Sequence, residues 1–173
     1  MSSRIGFIDI ETNGSLETVS HIWVIDIYNC DRESHETRHR TYTRDRYPFA
    51  QYLPGSPDNE GPFDHLDSLN ILCGHNIIGY DLPVLAKLTG WTPRPGQTVV
   101  DTLILSQLLF PDIVMGHSLE QWSMRFFGTN RKIPITDWSK YHLALFDRCR
   151  VDTELTKRLY DTCNHEILKY KGA

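Results

Sequence analysis

Near its amino end the chain runs Ile5-Gly6-Phe7-Ile8-Asp9-Ile10-Glu11-Thr12, an apolar segment whose far end carries two carboxylates two positions apart. Ile5, Phe7, Ile8 and Ile10 predict a buried strand. Alternate side chains of a strand share a face and rise about 3.3 Å per residue, so Asp9 and Glu11 point the same way, with Cα atoms roughly 6.5 Å apart. Two such acids repel each other and lose hydration, and a divalent cation is the simplest compensation. The alternative is a strand that has already ended, with Glu11-Thr12-Asn13-Gly14 as a solvated turn. Acids further along the chain bear on that choice.

A chain of 173 residues with 40% hydrophobic and 23% charged residues is expected to form one globular domain over residues 1–173, with a three-layer core. It carries no apolar run of membrane-spanning length and no charged-then-apolar leader, so no membrane partner is expected and the location read from the sequence is cytoplasmic. Cys30, Cys73, Cys149 and Cys163 lie far apart without a C-x-x-C pair, which argues against a zinc module or a disulfide framework and for reduced thiols. The formal net charge of −4 weighs against a nucleic-acid partner at first sight. Four carboxylates holding two divalent ions would bring that sum to about zero, so a phosphate substrate stays open.

A second strand is predicted at residues 21–28 and a third, with one wet face, at 36–43, giving an antiparallel meander beside the first. Arg32, Arg38, Arg40, Arg44 and Arg46, with Tyr42 and Tyr47, read as a solvated strand face or as a surface for a nucleic-acid backbone. Residues 54–62 are rich in Pro and Gly and predict a surface loop, and 63–69 a short helix. Ile71-Leu72-Cys73-Gly74 is a short buried strand handing over to a helix with Leu82, Leu85 and Leu88 on its apolar side, and the handover recurs from Val99-Val100-Asp101 into Thr102-Leu103-Ile104-Leu105-Ser106. Ser118 caps a helix that Gly128 stops, and a long amphipathic helix covers 143–167. Strands first, then strand and helix in alternation, predict an α/β fold with a mixed sheet flanked by helices.

The acids then fall into a series. Asp9 and Glu11 end the first strand, Asp81 opens the helix after His75-Asn76, and Asp152 lies in the last helix. This series resembles the DEDD superfamily of 3′-5′ exonucleases, most nearly the proofreading exonuclease domain of bacteriophage family A DNA polymerases. Six segments in order carry the resemblance: Phe7-Ile8-Asp9-Ile10-Glu11-Thr12, Gly74-His75-Asn76-Ile77-Ile78-Gly79-Tyr80-Asp81-Leu82-Pro83, Asp101-Thr102-Leu103-Ile104-Leu105-Ser106, His117-Ser118-Leu119-Glu120-Gln121-Trp122, Asp137-Trp138-Ser139-Lys140-Tyr141 and Val151-Asp152-Thr153-Glu154-Leu155-Thr156.

The resemblance implies an RNase H-like (DnaQ-like) fold, two Mg2+ or Mn2+ ions held by the four acids, and release of 5′-mononucleotides from single-stranded 3′ ends. The chemistry is consistent, because hard divalent cations favour carboxylate oxygens, and a pair of them can serve the attacking and leaving oxygens of an in-line displacement. By motif, Asp9 would bridge both ions, Glu11 and Asp152 would hold the ion that activates water, and Asp81 would act through water on the other. Thr12, His75 and Asn76 match positions near the terminal nucleotide, although Asn76 could equally be a helix cap. His117 reads as structural, and Trp122, spaced with Leu119 and Phe126, as core.

Two features depart from the family pattern. The position one helical turn before Asp152, where the polymerase-type branch has a water-orienting tyrosine, is Arg148. Arginine cannot act as a base, but it can donate to water or phosphate, and it can also pair with Asp152 in competition with a metal. A second register also exists, in which His142 would be the general base and Asp147 the fourth ligand, after the His-x-Ala-x-x-Asp form of the other branch. The flanking residues favour Asp152. The expected role is a phage exonuclease acting in the host cytoplasm, with DNA 3′ ends as substrate and proofreading for a separately encoded DNA polymerase. The alternatives are an exoribonuclease of the same superfamily and a nuclease-impaired module that binds a 3′ end or a polymerase.

Overall fold

The structure, a computed structural model, describes residues 4–31, 37–46 and 61–171. Three strands come first: β1 (Arg4–Thr12), β2 (Ile22–Asp31) and β3 (Thr37–Thr43). They are followed by α1 (Pro62–Asp67), β4 (Ile71–Gly74), α2 (Asp81–Thr89), β5 (Thr98–Asp101), α3 (Thr102–Leu109), α4 (Leu119–Phe127) and α5 (Leu143–Lys171). The sheet order is β3-β2-β1-β4-β5, with β1, β2 and β3 antiparallel and β4 and β5 parallel to β1. The α/β architecture with a mixed sheet flanked by helices is the one expected.

β1 and β2 are apolar on both sides because both faces of the sheet are covered. On one face Ile8, Ile10, Ile25 and Ile27 pack with Phe63 and Leu66 of α1 and Val84 and Leu85 of α2. On the other, Ile5 and Phe7 meet Tyr160 of α5, and Trp23 and Val24 meet Leu145 and Cys149 of the same helix. Helices α3 and α4 lie outside α5, where Trp122 packs on Leu159 and Cys163, so Trp122 is core as expected. Gly6 lets the turn after α1 approach the sheet: a Cβ there would lie 2.4 Å from Leu69 Cδ1.

The element ends differ from the sequence reading in instructive ways. Pro62 belongs to α1, where it occupies the first turn that tolerates a missing N–H; residues 54–60 of the expected loop lie outside the described residues. The cap on α4 pairs Ser118 with Gln121 in a reciprocal capping box, and Gly128 ends the helix at φ 71°. The basic strand face is only partly solvated. Arg38 and Arg40 are exposed, but Tyr42 is buried with its hydroxyl on His65, and Arg44 lies over Trp23, while Arg32 and Tyr47 are outside the described residues. Among the described residues, no helix is long and apolar enough to cross a membrane.

Candidate active site

Asp9 and Glu11 leave β1 on the face that α5 covers, in phase with Ile5 and Phe7, and beyond Glu11 the β1–β2 register shifts. α5 is fixed against this end of β1 by the Cys149 thiol, which donates to the Asp9 carbonyl at 3.2 Å. One turn later α5 presents Asp152, so that ligand oxygens of Asp9, Glu11 and Asp152 lie within 4.8 Å of one another. Asp81 reaches the same place from the other side of β1. β4 pairs with β1 only as far as Phe7, which leaves the Ile10 N–H without a strand partner on that edge, and the Asp81 carboxylate accepts it at 3.2 Å. Four acids from three separate parts of the chain thus meet at the carboxyl end of β1.

Their electrostatics follow from crowding. Burial raises the Asp9 carboxyl well above the carboxylate range, and the charges of Asp152, Glu11 and Asp81 add to it. Burial pushes Glu11 up to about 8, with Asp152 raising it further and Arg148 drawing it back. Asp81 is raised by burial to about 7 against the hydrogen bonds that favour its charged form, and Asp152 is raised by burial against the pull of Lys132 and Arg148. Glu11 and Asp81 held this way bind protons near neutrality unless a cation replaces them, and Asp9 and Asp152 are shifted in the same direction. The donor set is all hard oxygen, and Asp152 Oδ1 is buried without a hydrogen-bond partner, so these residues fit a divalent metal ion.

Two cations are built into the cluster. Arg148 Nε lies 3.1 Å from Glu11 Oε1 and 3.9 Å from Asp152 Oδ2, and Lys132 Nζ lies 3.1 Å from Asp152 Oδ2. The competing ion pair expected for Arg148 is therefore present, and it engages Glu11 more closely than Asp152. Lys132 was not singled out by sequence. The loop at 129–136 is visibly basic, but only the fold brings its one lysine to an acid twenty residues away.

Beside Glu11 opens a cavity of about 430 Å³ lined by Glu11, Thr12, Gly14, Tyr80 and Trp138 among others. Tyr80 donates its hydroxyl to the Gly14 carbonyl and meets Thr12 Oγ1, which sets its ring against the strand end. Tyr80 and Trp138 belong to segments that carry the resemblance, but their role as walls of one slot is visible only once β1, α2 and the segment before α5 are assembled.

The remaining predicted residues divide. His75 Nδ1 lies 3.0 Å from Thr102 Oγ1, whose own proton goes to the Gly74 carbonyl, and the ring also bonds to the backbone of His117. Burial pushes its pKa down to about 4, and it is neutral. Asn76 does not cap α2, whose N-cap is Tyr80 without a side-chain cap bond. Instead Asn76 takes the left-handed conformation at φ 63°, donates its N–H to Asp101, and leaves its side chain exposed over Gly79. His117 sits against Ser106 Oγ at 3.1 Å. His142 Nε2 is 2.8 Å from the Asp137 carbonyl, and Asp147 is exposed, so the structure places neither in the acid cluster.

A scan against family models and a search of curated protein sequences find no match to this chain. Among solved structures the chain is similar to the apo form of a nuclease, at 17% identity and TM-score 0.65, covering 98% of this chain and 74% of that one. It is also similar to Brucella melitensis NrnC with bound Mg2+, at 18% identity and TM-score 0.64, covering 98% of this chain and 75% of that one. What this likeness shows is the fold: an RNase H-like α/β arrangement of the kind found in these nucleases.

Proposed function

We propose that this chain is a metal-dependent 3′-5′ exonuclease that removes nucleotides from single-stranded DNA ends, with residues 1–173 acting as one exonuclease domain. The observation that carries the reading is the convergence of Asp9, Glu11 and Asp152, with Asp81 bonded to the backbone between the first two, beside a slot walled by two aromatic rings. The likeness to a nuclease solved with Mg2+ supports it.

In this reading Asp9, Glu11, Asp81 and Asp152 hold Mg2+ or Mn2+. Once bound, the metal supplies the positive charge that favours deprotonation of a water and offsets charge building on the phosphate. The chain's own residues do the rest. Tyr80 and Trp138 offer π-faces on which a terminal base can stack without sequence preference. Asn76, exposed at the mouth of the β4–α2 turn, can reach the sugar or phosphate. Arg148 and Lys132 hold fixed positive charge against Glu11 and Asp152, which lowers the repulsion that an entering phosphate would meet. We attach to this activity the setting that the resemblance implies, removal of mispaired 3′ nucleotides for a DNA polymerase.

The test is degradation of 5′-labelled single-stranded DNA and RNA of the same sequence with Mg2+, Mn2+ or EDTA. Wild type should give a metal-dependent ladder that is stronger on DNA. Asp152→Asn should lose roughly 100-fold or more in rate, as expected when site electrostatics are removed, and Asp147→Asn should retain it. Loss in Asp147→Asn alone would move the fourth ligand to Asp147 and the base to His142. A stronger RNA ladder would make the chain an exoribonuclease. The ion pair between Arg148 and Glu11 favours one further reading, a module that binds 3′ ends without cutting, and the absence of any ladder with either ion would select it.

A further inference from the structure

The acid cluster contains two positive charges that cannot diffuse away. Arg148 reaches it from α5 and is held at several points: Nη1 donates to the Ile133 carbonyl, Cζ lies 5.3 Å from the centroid of the Trp138 ring, and Nε faces Glu11 and Asp152. Only 14% of its side chain is exposed. Lys132 reaches the same Asp152 oxygen, Oδ2, with 18% of its side chain exposed. Among the described residues, the ion pairs that these two cations make run to Glu11 and Asp152 alone.

Charge conservation in a buried site then limits what else can enter. Glu11, Asp81 and Asp152 are each at most 5% exposed. Four ionised carboxylates against two divalent ions sum to zero, the balance that a two-ion site has before substrate arrives. With Arg148 and Lys132 already present, one divalent ion reaches the same sum, and a second would leave two uncompensated positive charges in a desolvated cluster, which is strongly disfavoured. The guanidinium cannot relieve the excess by losing a proton. The geometry agrees with the charge count. Arg148 and Lys132 engage Glu11 Oε1 and Asp152 Oδ2, while Asp152 Oδ1 is buried and unpartnered.

Building on the nuclease reading above, we infer that this site takes one divalent ion, with Arg148 and Lys132 carrying the charge that a second ion carries in the two-ion arrangement. The ion is held by Asp9 and the carboxylate oxygens that the two cations leave open. An arginine in place of the family's tyrosine is then a change in how the site is neutralised.

The experiment counts Mn2+ bound per chain, by the electron paramagnetic resonance signal of free Mn2+, without nucleotide, whose phosphate would itself offset a second ion. Wild type should bind one ion. The Lys132→Met/Arg148→Tyr double variant should bind two, and Arg148→Lys, which keeps the charge, should stay at one. Circular dichroism on each variant establishes that it is folded. Two ions in the wild type, or one in the folded double variant, would overturn the inference. Asp9→Asn separates this from the reading beneath it. If Asp9→Asn binds Mn2+ as the wild type does, or the wild type binds none, the acid cluster is not the metal site and the nuclease reading falls. If the wild type binds two and Asp9→Asn none, only the one-ion inference is lost.

Discussion

Asp101 is the residue on which the order of the site depends most heavily without touching a candidate ligand. Its carboxylate accepts the N–H groups of Asn76 at 2.9 Å, Ile78 at 3.1 Å and Leu103 at 2.9 Å, so one buried side chain ties the β4–α2 turn to the first turn of α3. Removing it leaves three backbone donors to find water in a closed turn. Asp101→Ala should therefore cost about 3 kcal/mol in urea unfolding, and Mn2+ binding should weaken because Asp81 stands at the end of that turn. Unchanged stability would show that the turn is held by packing alone. The sequence marks Asp101 as the point where a strand hands over to a helix, which is where it lies. Two of its three donors lie 23 and 25 residues away, which local spacing does not encode. Asn76 shows the complementary difficulty: asparagine is favoured both as a helix cap and in the left-handed conformation, and only the turn geometry selects the second.

At the level of elements, the contact that decides the site is α5 against β1 and β2. Its polar part is centred on Asp26, which is fully buried on β2 and accepts from Thr41 Oγ1 and Thr153 Oγ1, both at 2.6 Å, with His39 Nδ1 at 3.0 Å. Thr153 is the neighbour of Asp152, so this bond fixes the rotation of α5 that aims Asp152 into the cluster. Thr153→Val keeps the shape and removes the donor. It should destabilise the protein by about 1 to 3 kcal/mol in thermal unfolding and lower metal affinity in the same variant. Destabilisation without a change in metal affinity would mean that α5 keeps its rotation through apolar packing. The helix and its amphipathic character were legible over 143–167, and the observed α5 runs on to Lys171. Its facing was not legible, because an acid at the centre of an apolar strand looks like noise until a threonine and a histidine from two other elements are placed around it.

For the whole molecule, the pH dependence of stability has opposing parts. Glu11 and Asp81 are raised to about 8 and about 7, and Asp9 and Asp152 are raised as well, so the folded state holds more protons than the unfolded chain above the ordinary carboxylate range. Stability must then fall as pH rises through 7 and 8 when no metal is present. His65 and His75, each lowered to about 4 by burial, act in the other direction, because the unfolded chain binds protons at 6.5 that the folded one refuses. Their contribution is lost as pH falls from 6.5 towards 4. Above about pH 6.5 the histidines no longer offset the acids, so the melting temperature in EDTA should decline from there to pH 8.5, and Mg2+ should flatten that decline by taking the place of the protons. An EDTA profile without that decline would show that the four acids are not crowded in solution as they are in the structure.

Sequence alone determined the layered α/β class, the series of four acids and the helix that carries the last of them. These rest on short-range rules: strand alternation, caps, turn residues and motif order are each decided by neighbours within a few positions. Only the tertiary structure decided what surrounds the acids. Lys132 and Arg148 as internal cations, Asp101 and Asp26 as buried acceptors, and Tyr80 and Trp138 lining one slot are juxtapositions between distant parts of the chain. Nothing in local spacing encodes them, because the free energy that selects them comes from burial and charge balance in the assembled fold.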